Sequence, residues 1–249
     1  MSGLLIVNAD DFGGNRPATD RILECFAAGR ITSTSAMVYM DDSRRAAQLA
    51  RLSKLPIGLH LNLTQELEDS GTPPLVRERQ ARAAEYFARA RRRRVTYNTR
   101  MATLVKTCVA DQLACFRELF GIEPTHIDGH NHAHLSPTAL FSLPRGIPVR
   151  TGESDIGRGI GPGTLLRGAR HAMIARRHPT TDYFFAIDRL GQLRSEQEIE
   201  RLLAFAQRSS VEIMTHPDRN SDYRVLTSDT WQNCLQRHTS GSFRELGAL

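Results

Sequence analysis

The chain has 249 residues with a formal net charge of +6, 40% of them hydrophobic and 24% charged. That composition excludes a disordered chain and supplies enough apolar side chains for a substantial core. No apolar run approaches the roughly 20 residues a membrane helix requires, and the start MSGLLIVNADDFG carries no basic leader, so a cytoplasmic protein without a membrane span is expected.

The first apolar run, Leu4 to Asn8, reads as a strand, and two adjacent carboxylates, Asp10 and Asp11, follow it without a spacer. Neighbouring side chains of a regular strand point to opposite faces, so one of the pair would enter a packed layer unless the strand had already ended. Phe12-Gly13-Gly14 suggests that end. A helix from Pro17 to Ala28 closed by Gly29, a strand from Thr32 to Tyr39, a helix from Asp42 to Leu52 and a strand from Ile57 to Leu63 come next, the last carrying His60.

Residues 64–99 form an excursion longer than an ordinary connection, and long excursions tend to be lids or binding loops. This one contains TPPLV and then a basic, helical-looking piece over about 77–100 that includes RARRRR, Arg89 to Arg94. Covering the site and being a plain surface excursion are alternative readings. The arginine run reads as a solvated segment rather than a nucleic-acid site, because no aromatic platform or recognisable module accompanies it.

Beyond it lie a helix from Met101 to Phe120 closed by Gly121, a strand from Thr125 to Asp128, a strand from Ile147 to Arg150, a helix from Thr164 to Arg177 and a strand from Tyr183 to Ile187. A helix from Ser195 to Gln207 opens with a capping-box pattern, Ser195 and Glu198, and precedes a strand from Val211 to Thr215. Strand and helix alternate, which argues a parallel sheet. About seven such strands close more easily into an α/β TIM-like barrel, complete or incomplete, than into an open sheet. An open doubly wound sheet is the alternative, but the turn after the first strand has no GxGxxG. One domain over residues 1–249 is the expectation. The cysteines Cys25, Cys108, Cys115 and Cys234 are scattered with no CxxC pair, which suits reduced thiols, and Cys108 and Cys115 fit one buried helix face.

Polar chemistry collects at or after the carboxyl ends of these strands: Asp10-Asp11, His60, THIDGHNHAH and His216 in VEIMTHPD. That is the catalytic rim of an α/β barrel. A lone histidine such as His60 on an apolar strand is more often a hydrogen-bonded core residue than a ligand, and Asp-Asp before Phe-Gly is also a turn signal. HNHAH is harder to dismiss. If it is extended, Asp128, His130, His132 and His134 project from one face, crowding imidazoles as metal sites do. With carboxylate and imidazole donors and no thiolate nearby, the expected cofactor is one divalent ion such as zinc or magnesium, with manganese, cobalt or nickel as alternatives. A metal hydrolase needs one carboxylate on the ion and a second, unligated, to take the proton from the attacking water, and two adjacent aspartates can serve both needs.

LLIVNADDFGGN, GRITSTSAMV, PIGLHLNLT, PTHIDGHNHAHLSP and VEIMTHPD together resemble the successive motifs of the YdjC/ChbG-like carbohydrate deacetylases, a family with a hopanoid-biosynthesis branch. The resemblance implies a barrel-like fold, a single divalent metal and removal of an acetyl group from an N-acetylated amino sugar. Carried over by motif, it makes Asp10 the general base, Asp11, His60 and His130 the metal ligands, and His216 the acid for the leaving amine. Arg150 would orient the base or meet substrate. His132 and His134 stay open as replacements or seconds for His130. The family usually has glycine after the His-Pro pair, where Asp218 stands here, and often serine at the place of Gly129. The substrate is then an N-acetylated sugar in an oligosaccharide or glycoconjugate, a glycolipid included, and the oligomeric state is open to a homo-oligomer. The competing readings are a metal-dependent phosphoesterase on a similar barrel, which would need more acidic ligands, and a non-catalytic metal- or nucleic-acid-binding module, which leaves Asp10 unexplained.

Overall fold

The computed structural model describes residues 3–88, 96–154, 162–187, 199–200 and 203–247. Strands β1 (Leu4–Phe12), β2 (Ser33–Ala36), β3 (Ile57–Leu61), β4 (Ile127–Gly129), β5 (Tyr183–Ala186), β6 (Ser210–Thr215) and β7 (Ser240–Gly241) form one sheet. Its order is β4-β3-β2-β1-β6-β5, with β7 paired to β1, and every described pairing is parallel. The sheet curls into an incomplete TIM-like barrel surrounded by helices, the α/β class expected from the strand-helix rhythm.

Alternation along the strands explains the two faces. Leu5, Val7 and Ala9 of β1, Ile57, Leu59 and Leu61 of β3, and Val211 and Ile213 of β6 join the main apolar core under the helices. That core takes Ile22 and Cys25 from α1 (Arg16–Ala27), Ala46, Ala47 and Ala50 from α2 (Ser43–Ser53), and Val105, Cys108, Val109, Leu113, Cys115 and Phe116 from α4 (Thr99–Phe120). The intervening strand residues face the concave side. At its lower end Leu4, Ile6 and the C-terminal Phe243 form a separate apolar plug, whereas Asn8, Asp10, Ser35, His60 and Asp128 above it are polar and buried. Apolar burial of this kind contributes about 1.5–3 kcal/mol per large side chain and supplies the rigidity on which a polar cluster can be held.

Local signals set the helix ends. Asn15 caps α1 by accepting from the Ala18 amide, and Asn98 caps α4 by accepting from Arg100 and Met101. Gly121 closes α4 at φ 71°, in the left-handed region where glycine carries no penalty.

Four expectations are corrected. The first strand does not stop before the aspartates but runs through both to Phe12. Ile147–Arg150 is not a full strand, and only Val149 forms a parallel bridge, to Ile127. The excursion is not wholly irregular: α3 (Pro74–Ala88) packs on α4 through its buried Val76, Gln80, Ala83, Tyr86 and Phe87. The segment after β4 is not extended, because His130–Leu135 forms a 3-10 turn with Asn131 and His132 at φ 53° and 55°. The expected helix Thr164–Arg177 is α6 (Pro162–Ala175), which follows the short α5 (Pro137–Leu140). Of the helix expected over Ser195–Gln207, the capping box lies outside the described residues, as does RARRRR, and the described end is a 3-10 turn at Ala204–Gln207. After β6 come α7 (Asn220–Leu226) and α8 (Asp229–Gln236). Among the described residues no helix is long and apolar enough to cross a membrane.

Candidate active site

The adjacent aspartates share one site because β1 carries a bulge. Asn8 and Asp10 face the concave side, where the Asn8 side-chain amide donates to Asp10 Oδ1 at 2.9 Å and to Ser35 at 3.2 Å. Simple alternation would send Asp11 into the helix-side core with Ala9. Instead the β1–β2 register slips: Ala9 pairs with Thr34 and Phe12 with Ala36, so β1 spends one more residue than β2 over the same interval. Asp11 takes φ 69°, and Phe12 returns to the helix-side core. A bulge of this kind re-aims a side chain at a functional edge.

The carboxylate of Asp11 lies between two imidazoles. Its Oδ1 is 3.2 Å from His60 Nε2 and 3.2 Å from His130 Nδ1, and donor atoms of all three residues fall within 4.8 Å of one another. Each comes from the carboxyl end of a different strand, His130 being the first residue beyond β4. His60 is fixed from behind: its Nδ1 is 2.8 Å from Asp128 Oδ1, and Ser35 donates to the other Asp128 oxygen at 2.7 Å. Nδ1 therefore carries the hydrogen, and Nε2 faces Asp11 either as an imidazolium donor or with a lone pair that needs a cation. Burial alone would depress the His60 pKa, but Asp128 and Asp10 lift it well above the ordinary value. The site thus demands positive charge between His60 and Asp11, and an oxygen–imidazole donor set with a carboxylate behind one histidine suits a divalent ion. Burial pushes Asp11 up, yet His130 and His60 bring it far below the usual carboxylate range.

Behind these ligand candidates, Asp10, His60 and Asp128 form a second cluster of close donor atoms, and the completely buried Arg150 pairs with its two carboxylates. Its Nη1 and Nη2 each donate to an oxygen of Asp10 at 2.6 Å, Nη2 also lies 2.8 Å from Asp128 Oδ2, and Nε donates to Glu212 at 2.6 Å. The Phe184 ring lies 5.3 Å from the guanidinium carbon. Burial raises the Asp10 carboxyl, and the Arg150 charge overcomes it to leave the pKa below the ordinary value. Asp128 behaves alike, with Arg150 and then His60 opposing its burial. Glu212 differs: burial lifts it to about 8 against the pull of Arg150, with Asp128 adding to the rise.

His216, the residue after β6, brings Nε2 to 3.9 Å from Asp11 Oδ2, and its backbone amide donates to Asp222 at 2.9 Å. Asp10, Asp11, His60, His130, Arg150 and His216 are therefore all gathered at one place. His134 is not with them: it is buried and its Nε2 donates to the Arg150 carbonyl at 3.2 Å. His132 packs edge-on against Phe184, 5.7 Å between ring centres, and neither histidine belongs to a described metal-ready group. Sequence reasoning missed Glu212 and Asn8 as members of the cluster. An acidic residue in the middle of the apolar run VEIMT was the available signal for Glu212.

Buried imidazole and carboxylate groups converging at the carboxyl ends of parallel strands define a metal-ready site on an α/β barrel. The profile of the YdjC-like proteins matches residues 4–246, and the chain belongs to that family. It is 31% identical over 226 residues to a chitooligosaccharide deacetylase of Serratia marcescens, covering 87% of this chain and 82% of that one. A chitooligosaccharide deacetylase of Yersinia pestis (strain Pestoides F) is 30% identical over 272 residues, covering 98% and 99%. Among solved structures, a candidate cellobiose-phosphate cleavage protein of Enterococcus faecalis V583 superposes with a TM-score of 0.73 at 21% identity, covering 99% of both chains. A family 4 acetyl xylan esterase of Clostridium thermocellum, crystallised with a cobalt ion, superposes with a TM-score of 0.54 at 13% identity, covering 98% of this chain and 90% of that one. At these identities the solved structures speak for the fold.

Proposed function

We propose that this protein is a metal-dependent hydrolase that removes the acetyl group from an N-acetylated amino sugar in an oligosaccharide or glycoconjugate. The observation that carries the reading is the convergence of Asp11, His60 and His130 donor atoms within 4.8 Å, beside an Asp10 carboxylate gripped by Arg150. The names of the Serratia and Yersinia relatives support it.

In this scheme Asp11, His60 and His130 hold one divalent ion. When bound, the ion supplies Lewis acidity toward the acetamide carbonyl and makes water more acidic. Asp10, kept ionised by Arg150, accepts the proton of the attacking water. As the carbon–nitrogen bond breaks, His216 delivers a proton to the departing amine, with its backbone anchored by Asp222. Atoms balance: water's hydroxyl stays on the acetyl carbon, the acid so formed loses its proton to become acetate, the proton accepted by Asp10 returns through solvent to His216, and the amine leaves neutral before it takes a proton from solvent. His60 does not serve as an acid in this scheme, because its Nδ1 is committed to Asp128.

The direct test is acetate release from N-acetylglucosamine oligomers and glycoconjugates by metal-loaded and chelator-treated protein. Metal-dependent acetate release is expected. Release of phosphate from sugar phosphates, with the acetamides left intact, would replace this reading with a phosphoesterase.

A further inference from the structure

Glu212 sits on the concave face of β6, fully buried, and its Oε1 accepts from Arg150 Nε at 2.6 Å while its Oε2 has no hydrogen-bond partner among the described residues. Its neighbours across the sheet are Ile6 on β1 and Phe184 on β5, both apolar. A carboxyl group placed there costs desolvation that a leucine of similar size would avoid. The charge of Arg150 is already met by Asp10 and Asp128, so what Glu212 alone supplies is an acceptor for Nε.

What Glu212 adds is direction. An arginine can present to one carboxylate either its Nη1/Nη2 edge or its Nε/Nη edge, and the two differ by a rotation of the whole guanidinium. With Nε captured by Glu212, and with the Phe184 ring centre 5.3 Å from the guanidinium carbon, the Nη1/Nη2 edge is left for Asp10. Both Asp10 oxygens then receive one N–H each, and the carboxylate is fixed beside Asp11. We infer that Glu212 is a positioning residue for the reaction proposed above: by holding Arg150 Nε it orients the guanidinium fork and, through it, the Asp10 carboxylate. The inference rests on that functional reading for its consequence on rate, but the Glu212–Arg150 contact stands by itself.

The experiment compares wild type with Glu212→Leu, Glu212→Gln and Glu212→Asp, all zinc-loaded, on N,N′-diacetylchitobiose. It also follows zinc content, thermal unfolding and the Arg150 Nε–H resonance. Glu212→Gln keeps a carbonyl for Nε and should stay within about threefold of wild-type kcat. Glu212→Leu should keep its zinc and lose the protected Nε–H signal, with kcat down about a hundredfold at nearly unchanged KM, while the stranded Nε lowers the unfolding temperature. A merely structural Glu212 predicts the same fall in unfolding temperature with unchanged kcat, and that result overturns the inference. So do equal losses in the Gln and Leu variants. If Glu212→Leu fails to fold, Glu212→Asp decides: one methylene shorter, it should lower kcat without moving KM, and wild-type kcat there is a refutation. If wild type releases no acetate, the functional reading falls, and the positioning role is judged by the Nε–H signal alone. Protection in wild type and Gln supports it, and free exchange in wild type refutes it.

Discussion

Arg150 and Asp10 meet through two 2.6 Å hydrogen bonds, one guanidinium nitrogen to each carboxylate oxygen, with both side chains nearly or wholly out of solvent. Three carboxyl groups, on Asp10, Asp128 and Glu212, surround that single guanidinium, so the cluster is richer in acid than in base. Its charge is completed toward Asp11, where His60 must be a cation or face one. The clamp behind and the ligand candidates in front are therefore one electrostatic unit, joined by the Asp128–His60 hydrogen bond.

Asp10→Asn should leave the metal in place and remove most of the activity. Asparagine keeps the shape but cannot take a proton, and loss of a general base typically costs about 10²–10⁴ in kcat. Metal analysis and acetate release on the same preparation check this. Near-normal turnover would take Asp10 out of the scheme.

His130→Ala and His60→Gln should each release the metal. Wild type should gain thermal stability when zinc or magnesium is added, by about 2.7 kcal/mol at a hundredfold excess over Kd, because ligand bound only to the folded state stabilises it. The variants should show no such gain. One retained equivalent after dialysis in both would refute the ligand set.

Much of this architecture was readable before any coordinates because apolar periodicity and helix-end residues are local signals. The runs around Val7, Leu59 and Ile213 are strands buried against helices, and Gly29 and Gly121 mark helix ends. The roles of the site residues came with the motifs. What stayed hidden depends on register and on partners distant in sequence. The bulge at Asp11 is a mismatch between two strands, invisible in either alone, and the turn at Asn131–His132 breaks an alternation that looked strand-like. Glu212 looked like an ordinary charged residue because its partner, Arg150, is 62 positions away.

Gly58→Ala should destabilise the protein from the side opposite the rim. A Cβ at Gly58 would run into the His126 ring, which is itself stacked on Phe243 with 3.8 Å between ring centres. Overpacking of this sort costs about 1–3 kcal/mol. Urea unfolding should report it, and an unchanged midpoint would show that the ring has room to retreat.

Acid should weaken the metal-free protein through its buried neutral histidines. Burial pulls His126 down to about 4 and His134 down to about 3, while in the unfolded chain both return to the ordinary value near 6.5. Between those limits the unfolded state binds the protons, so their contribution is complete above about pH 6.5 and is lost as the pH falls toward 4. At about 1.4 kcal/mol per pH unit per group, each histidine accounts for about 2 kcal/mol between pH 7 and pH 5. Glu212 works in the other direction: its folded value of about 8 exceeds the ordinary 4.5, so it favours the folded state most below pH 4.5 and less as the pH rises toward 8. It offsets one histidine over the shared range, and His60, raised well above its ordinary value, opposes the trend in part, but His132, pulled by burial to about 4, adds to it, so the net trend is toward instability in acid. Urea titrations of chelator-treated protein at pH 5 and pH 7 measure the slope. His134→Gln, whose amide still reaches the Arg150 carbonyl, should flatten it by the share of one group, and an unaltered slope would mean that His134 is charged in the folded protein.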